Sequence, residues 1–134
     1  MSAAEIRVPI ESDQDIVSAR QAGRTLAIEF GLSGVDATFI ATAISELARN
    51  ILAYARKGEI MLRAIHGSGR RGILVVASDR GPGIRDIQQA LRDGFSTSGS
   101  LGLGLPGVRR LMDEFEIESR PGRGTTVSVK KWKQ

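Results

Sequence analysis

The chain has 134 residues, 41% hydrophobic and 25% charged, the balance of one compact globular domain. It has no cysteine and one histidine, His66, which excludes disulfides and thiolate chemistry and argues against a histidine-built metal centre or triad. The net charge is +4, but apart from Lys130, Lys131 and Lys133 the basic residues are scattered, and no nucleic-acid-binding motif accompanies them. No apolar run approaches the ~20 residues of a membrane span and no signal-peptide pattern opens the chain. The expectation is a cytoplasmic protein that meets neither nucleic acid nor membrane.

In chain order, Ile6, Val8 and Ile10 alternate with polar residues and predict a strand, which Pro9 places at a sheet edge. Ser12 and Asp15 form a helix-start signal. Ile16, Ala19, Gly23, Leu26, Ala27 and Phe30 then mark one helix face, with Gly31 and Gly34 punctuating its end. A second helix is expected from Asp36 to Arg56, striped by Ile40, Ile44, Leu47, Ile51 and Tyr54 and stopped by Gly58. Two strands, Glu59–His66 and Gly72–Asp79, follow as a hairpin closed by Gly67–Arg71. A short helix over Ile84–Arg92 and a Gly/Ser-rich loop from Asp93 to Gly102 come next. Leu105, Val108, Leu111, Met112 and Phe115 predict a third long helix, and Glu116–Arg120 with Thr125–Trp132 a last strand pair. The sum is an α+β two-layer sandwich, with helices on one face of a mixed, mostly antiparallel sheet.

Four elements carry polar groups that could do chemistry. On the second helix, Glu46 and Asn50 lie one turn apart on a flank shared with Phe39, Ala43 and Ala53, while Arg49 and Arg56 project away from the core. Asp79 emerges where a buried strand ends, and Gly81 and Gly83 after it permit a sharp turn and close ligand approach. The stretch Ser96–Gly107 leads glycines and Pro106 into a helix, whose free N–H groups favour an anion such as phosphate. Gly122–Thr126 is a turn before the last strand. Each element alone also has an ordinary reading: a half-exposed flank, a strand-ending turn, a loop with a helix cap, a hairpin. The Walker A, HRD and DFG signatures are absent.

Taken together and in order, these elements resemble the ATP-binding fold shared by DNA gyrase B, Hsp90, histidine kinases and MutL, the Bergerat-type fold. Glu46-Leu47-Ala48-Arg49-Asn50 looks like its N box and Asp79-Arg80-Gly81-Pro82-Gly83 its G1 box. Gly102-Leu103-Gly104-Leu105 looks like its G2 box, and Gly124-Thr125-Thr126 its last box. The resemblance implies a single ATP-binding kinase domain over 1–134 that uses ATP and Mg²⁺. It assigns Asn50 to the metal, Asp79 to the adenine amino group and Glu46 to activation of the nucleophile. It adds Gly81, Gly83, Ser98, Gly99, Gly102, Leu103, Gly104 and Thr125 as nucleotide contacts, with Phe95–Gly104 as a lid over the phosphates. A lone domain of this size is most similar to the bacterial serine kinases of STAS-domain antagonists, the anti-sigma-factor kinases and RsbT-type switch kinases. That implies a STAS-domain protein as substrate in a stressosome-like partner-switching pathway, and a phosphatase activated by contact after release. Two alternatives stay open: a module that binds ATP and acts on a sigma factor or another target by contact, and a slow ATPase.

Overall fold

The computed structural model describes residues 5–82 and 104–134. The alternating segment at the start is strand β1 (Ile6–Ile10), an edge strand antiparallel to its neighbour, with Pro9 opposite Glu59. An edge tolerates the missing proline N–H. Helix α1 (Asp13–Glu29) starts as its signal predicts: the Asp15 carboxylate accepts from the backbone N–H groups of Glu11 (2.8 Å) and Ser12 (3.1 Å). Its buried face holds Ile16, Ala19, Gly23 and Ala27.

Helix α2 (Gly34–Tyr54) begins earlier than its apolar stripe suggests, because Ser33 caps it by accepting the Asp36 N–H at 3.1 Å. Gly34 is therefore the first residue of α2 and not the end of α1. Arg56, at φ 69°, closes the far end. From Ala43 to Ala48 every residue of α2 is buried, a run longer than one helical face. The reason is its position, packed on α1, on the sheet and on a later helix at once.

Strands β2 (Gly58–Gly67) and β3 (Arg70–Asp79) pair residue for residue. Their connection is a two-residue turn, Ser68-Gly69, with φ of 51° and 76°, so the expected five-residue loop contracts and both strands lengthen into it. The chain then forms helix α3 (Gly104–Leu111) and strands β4 (Glu114–Arg120) and β5 (Gly124–Trp132). The sheet order is β1-β2-β3-β5-β4, antiparallel at every described pairing. Ile60, Leu62, Ile73, Val75, Ala77, Val127 and Val129 form its helix-facing side and, with Ile40, Ile44 and Leu47 of α2, the core. The outer edge strand β4 exposes Glu114, Glu116 and Glu118, charges that discourage a further strand from pairing there.

Helix α3 is shorter than expected. Leu105 and Val108 are buried on it, but Phe115 belongs to β4, because the chain leaves the helix at Met112 and pairs Asp113 N–H with the Lys130 carbonyl (2.9 Å). Lys131 helps to end the helix. It is only 9% exposed, and its ammonium donates to the Leu111 carbonyl at 2.9 Å and lies 3.6 Å from Asp113. A cation at a helix C-terminus pairs with the negative end of its dipole. Lys131→Met keeps the stem and removes these contacts. We expect a loss of about 1.5–3 kcal/mol, the range for a hydrogen bond to a charged group. It should appear as a lower urea midpoint with unchanged slope, and a midpoint equal to wild type would remove Lys131 from the account of α3.

Candidate active site

Strand β3 ends at Asp79, with Gly58 of β2 opposite on one side and Thr125 of β5 on the other. The C-terminal turns of α2 cover this end of the sheet. A side chain at Gly81 would place its Cβ 2.6 Å from the Ala55 Cβ, and one at Gly58 would sit 2.8 Å from the Ile51 Cγ2. The turn after β3 is thus pressed against the end of α2, and only glycine fits that contact.

The same turn orients the Asp79 carboxylate. Its Oδ1 accepts from the Gly81 N–H at 2.8 Å and the Thr125 N–H at 3.3 Å. Among the described residues no donor is bonded to Oδ2, which leaves an acceptor at the mouth of a buried strand. Gly124 completes the frame: its φ is 99°, and a Cβ there would run into the Asp79 carbonyl oxygen. The Thr125 hydroxyl pairs with the Ser119 hydroxyl at 2.7 Å, tying β5 to β4 beside Asp79.

Glu46 is 5% exposed, and both of its oxygens are engaged. Oε1 accepts from the Arg49 guanidinium at 2.7 Å and Oε2 from the Gly104 backbone N–H at 3.0 Å. The carboxylate therefore sits at the first residue of α3, where an N–H has no partner within the helix and negative charge is favoured. Asn50 follows one turn on, half-buried, and no hydrogen bond among the described residues engages its amide. Arg49 corrects the helical projection. The projection sends it away from the core, but residues three apart on a helix are neighbours, and its guanidinium reaches Glu46.

The structure so brings together Glu46 and Gly104 at one junction, with Asn50 one turn further along α2, and Asp79, Gly81 and Thr125 at another. The expected contacts at Gly83, Ser98, Gly99, Gly102 and Leu103, the short helix over Ile84–Arg92 and all of the lid except Gly104, which opens α3, lie outside the described residues. Sequence reasoning named Arg49 only as projecting from the core and Lys131 only among the terminal lysines, and it passed over Ser119. The spacing of Arg49 from Glu46 was a usable signal, whereas Ser119 and Lys131 acquire their partners only through the pairing of β4 with β5 and the packing of α3.

Residues 35–134 match the description of the histidine kinase-, DNA gyrase B- and HSP90-like ATPases. The chain is 54% identical over 125 residues to the serine/threonine-protein kinase RsbT of Bacillus subtilis (strain 168), covering 93% of this chain and 94% of that one. It is 35% identical over 98 residues to the anti-sigma F factor of Thermoanaerobacter sp. (strain X514), covering 69% and 68%. Among solved structures, the RsbU and RsbW domains of a Mycobacterium tuberculosis protein superpose with a TM-score of 0.64 at 20% identity, over 96% of this chain and 32% of that longer one. The SiaB–SiaC complex of Pseudomonas aeruginosa gives 0.57 at 16% identity, over 96% and 89%. These two structural likenesses concern the fold.

Gly124→Ala should disturb this site without touching the core. Positive φ and the collision with the Asp79 backbone together cost about 1–3 kcal/mol. Chemical denaturation reads that loss, and fluorescence titration with a labelled ATP analogue should show weakened binding as the Thr125–Asp79 bond is lost. Wild-type values in both would mean that the Gly124 contact does not shape the site.

Proposed function

The chain belongs to the histidine kinase-, DNA gyrase B- and HSP90-like ATPases, and from that footing we propose how its residues divide the work of phosphoryl transfer. It is a protein serine/threonine kinase that uses ATP. The observation that carries the assignment of roles is that α2 places Glu46 against the first residue of α3, with Asn50 one turn further along, while its C-terminal end meets the Gly81 turn. A nucleotide laid along α2 then meets a base-reading end and a phosphate end.

At the first end, Asp79 Oδ2 accepts a hydrogen bond from the adenine amino group while Oδ1 stays bonded to Gly81 and Thr125. At the other, Mg²⁺ fits the donor set. The described residues hold no cluster of three or more carboxylates or imidazoles able to bind a metal unaided, and a magnesium that takes most of its oxygens from phosphate and water asks for little more than one amide oxygen. Asn50 would hold it, and when bound it offsets charge on the phosphate oxygens. The lid and its glycines supply N–H groups to the phosphates in this reading.

Glu46 acts on the acceptor. Oε1 and Oε2 each keep a lone pair beyond the bonds to Arg49 and Gly104, so the carboxylate still accepts from a serine or threonine hydroxyl. The hydroxyl oxygen forms a bond to the γ-phosphorus, the bond from that phosphorus to the ADP oxygen breaks with its electron pair, and the hydroxyl proton passes to Glu46. Catalysis here is orientation and electrostatics.

We infer further that the acceptor is a cytoplasmic STAS-domain protein in a partner-switching pathway of the stressosome kind, and that the released kinase activates a phosphatase by contact. The likeness to RsbT and to anti-sigma F factors supports this reading. A new phosphoryl group adds about −1.5 to −2 charges beside Glu46 and the nucleotide phosphates, which favours release. Arg49 beside Glu46 offsets part of that repulsion and so reduces the drive to release. Label appearing on the STAS-domain protein from γ-labelled ATP supports the kinase reading. Inhibition by contact without label would favour the binding module, and phosphate release without acceptor the slow ATPase.

Asp79→Asn should lower ATP affinity about 5- to 150-fold, because an acceptor is replaced by a donor facing the adenine amine and the unpaired group costs about 1–3 kcal/mol. Titration calorimetry measures it, and an unchanged dissociation constant would take Asp79 out of the adenine site. Glu46→Gln is nearly isosteric and should bind ATP as wild type does while transfer falls roughly 10²–10⁴-fold. Single-turnover transfer at the wild-type rate would refute the base assignment.

A further inference from the structure

We infer that Arg49 is a positioning residue for phosphoryl transfer: it fixes the Glu46 carboxylate in the orientation that also caps α3. The inference rests on the reading of Glu46 as the base. Glu46 is buried, and a buried carboxylate has to be held by donors. Two hold it: Arg49 at 2.7 Å on one oxygen and the Gly104 N–H at 3.0 Å on the other. Two donors on opposite oxygens set the plane of the carboxyl group and its side-chain rotamer together. Gly104 alone leaves it free to swing about the single bond to Oε2. Arg49 removes that freedom.

The Arg49 side chain is 45% exposed, so solvent weakens the Coulomb part of the pair, although Glu46 itself is buried and needs its donors. Its effect is geometric. Glu46 meets two elements at once, α2 through its own backbone and α3 through Gly104, so the direction in which its free lone pairs project depends on both being held. Arg49 lies on the same helix as Glu46, and its grip is independent of where α3 sits. A lysine ammonium reaches the same oxygen as a point charge but lacks the planar fork, so it restores the role only in part.

The test combines Arg49→Ala, Arg49→Lys, Glu46→Gln and the double variant Glu46→Gln/Arg49→Ala, using γ-labelled ATP and the STAS-domain acceptor. For Arg49→Ala we expect a transfer kcat lowered about 10- to 100-fold, the scale of a small misplacement of a reacting group, with the KM for ATP and the dissociation constant for ADP within about twofold of wild type. Arg49→Lys should recover a substantial part of the rate. In the Glu46→Gln background the alanine change should add nothing, because there is no base left to orient. Thermal melting checks that each variant is folded. A kcat for Arg49→Ala within twofold of wild type, or a rise in KM with kcat unchanged, overturns the inference. So does an equal further loss in the double variant, which would show Arg49 acting independently of Glu46. Loss of transfer in Glu46→Gln with none in Arg49→Ala defeats this inference alone, whereas full activity in Glu46→Gln defeats the base assignment and the inference with it.

Discussion

A short helix that opens Gly-Leu-Pro-Gly cannot hold itself in water, and the site depends on how this protein holds it. Helix α3 has eight residues, two of them glycine and one proline, below the length at which an isolated helix persists. It is kept by contacts from elsewhere in the chain. Glu46 of α2 takes the N–H of its first residue, Lys131 of β5 takes the carbonyl of its last, and Leu105 and Val108 fill the gap beneath it. Negative charge at the start and positive charge at the end both agree with the helix dipole. The N-terminal holder is also the group proposed to receive the substrate proton. Support and chemistry therefore share one carboxylate, and the geometry of α3 is tied to that of the base.

The Asp79 end follows a different logic. Asp79 is held by backbone alone, through the N–H groups of Gly81 and Thr125, and the glycines on either side admit no side chain between the turn, α2 and β5. Backbone donors carry no rotamer freedom, so the acceptor is fixed as rigidly as the sheet. One end of the site thus rests on side chains that can rearrange, the other on a framework that cannot.

Much of this was legible in the residues. Alternation in β1, the Ser12–Asp15 helix start and the stripe of α2 depend on local periodicity and local hydrogen bonds, and their elements stand where the pattern puts them. The placement of Asp79 at a strand end was legible for the same reason. What could not be read depends on distant pairing. Phe115 continues the period of α3, yet it lies on β4 because Asp113 pairs with Lys130 across the sheet. Lys131 looks like part of a basic tail, but the strand period turns it inward to a helix end. Arg49 was misread for another reason: its direction was judged only relative to the core, whereas its three-methylene stem carries the guanidinium to a carboxylate on the neighbouring row three residues earlier.

Strand β5 touches the Asp79 end of the site and the C-terminal end of α3, and its helix-facing residues keep step from one to the other. Thr125 meets Asp79 at its start, Val127 and Val129 enter the core, and Lys131 reaches α3 near its end. All four share one parity. The strand is a ruler whose markings are set by the pleat: side chains between Thr125 and Lys131 can be exchanged one for another, but removal or addition of a single residue puts one end out of phase with the other. Variation among natural or designed relatives should accordingly spare the length of this interval more strictly than its composition.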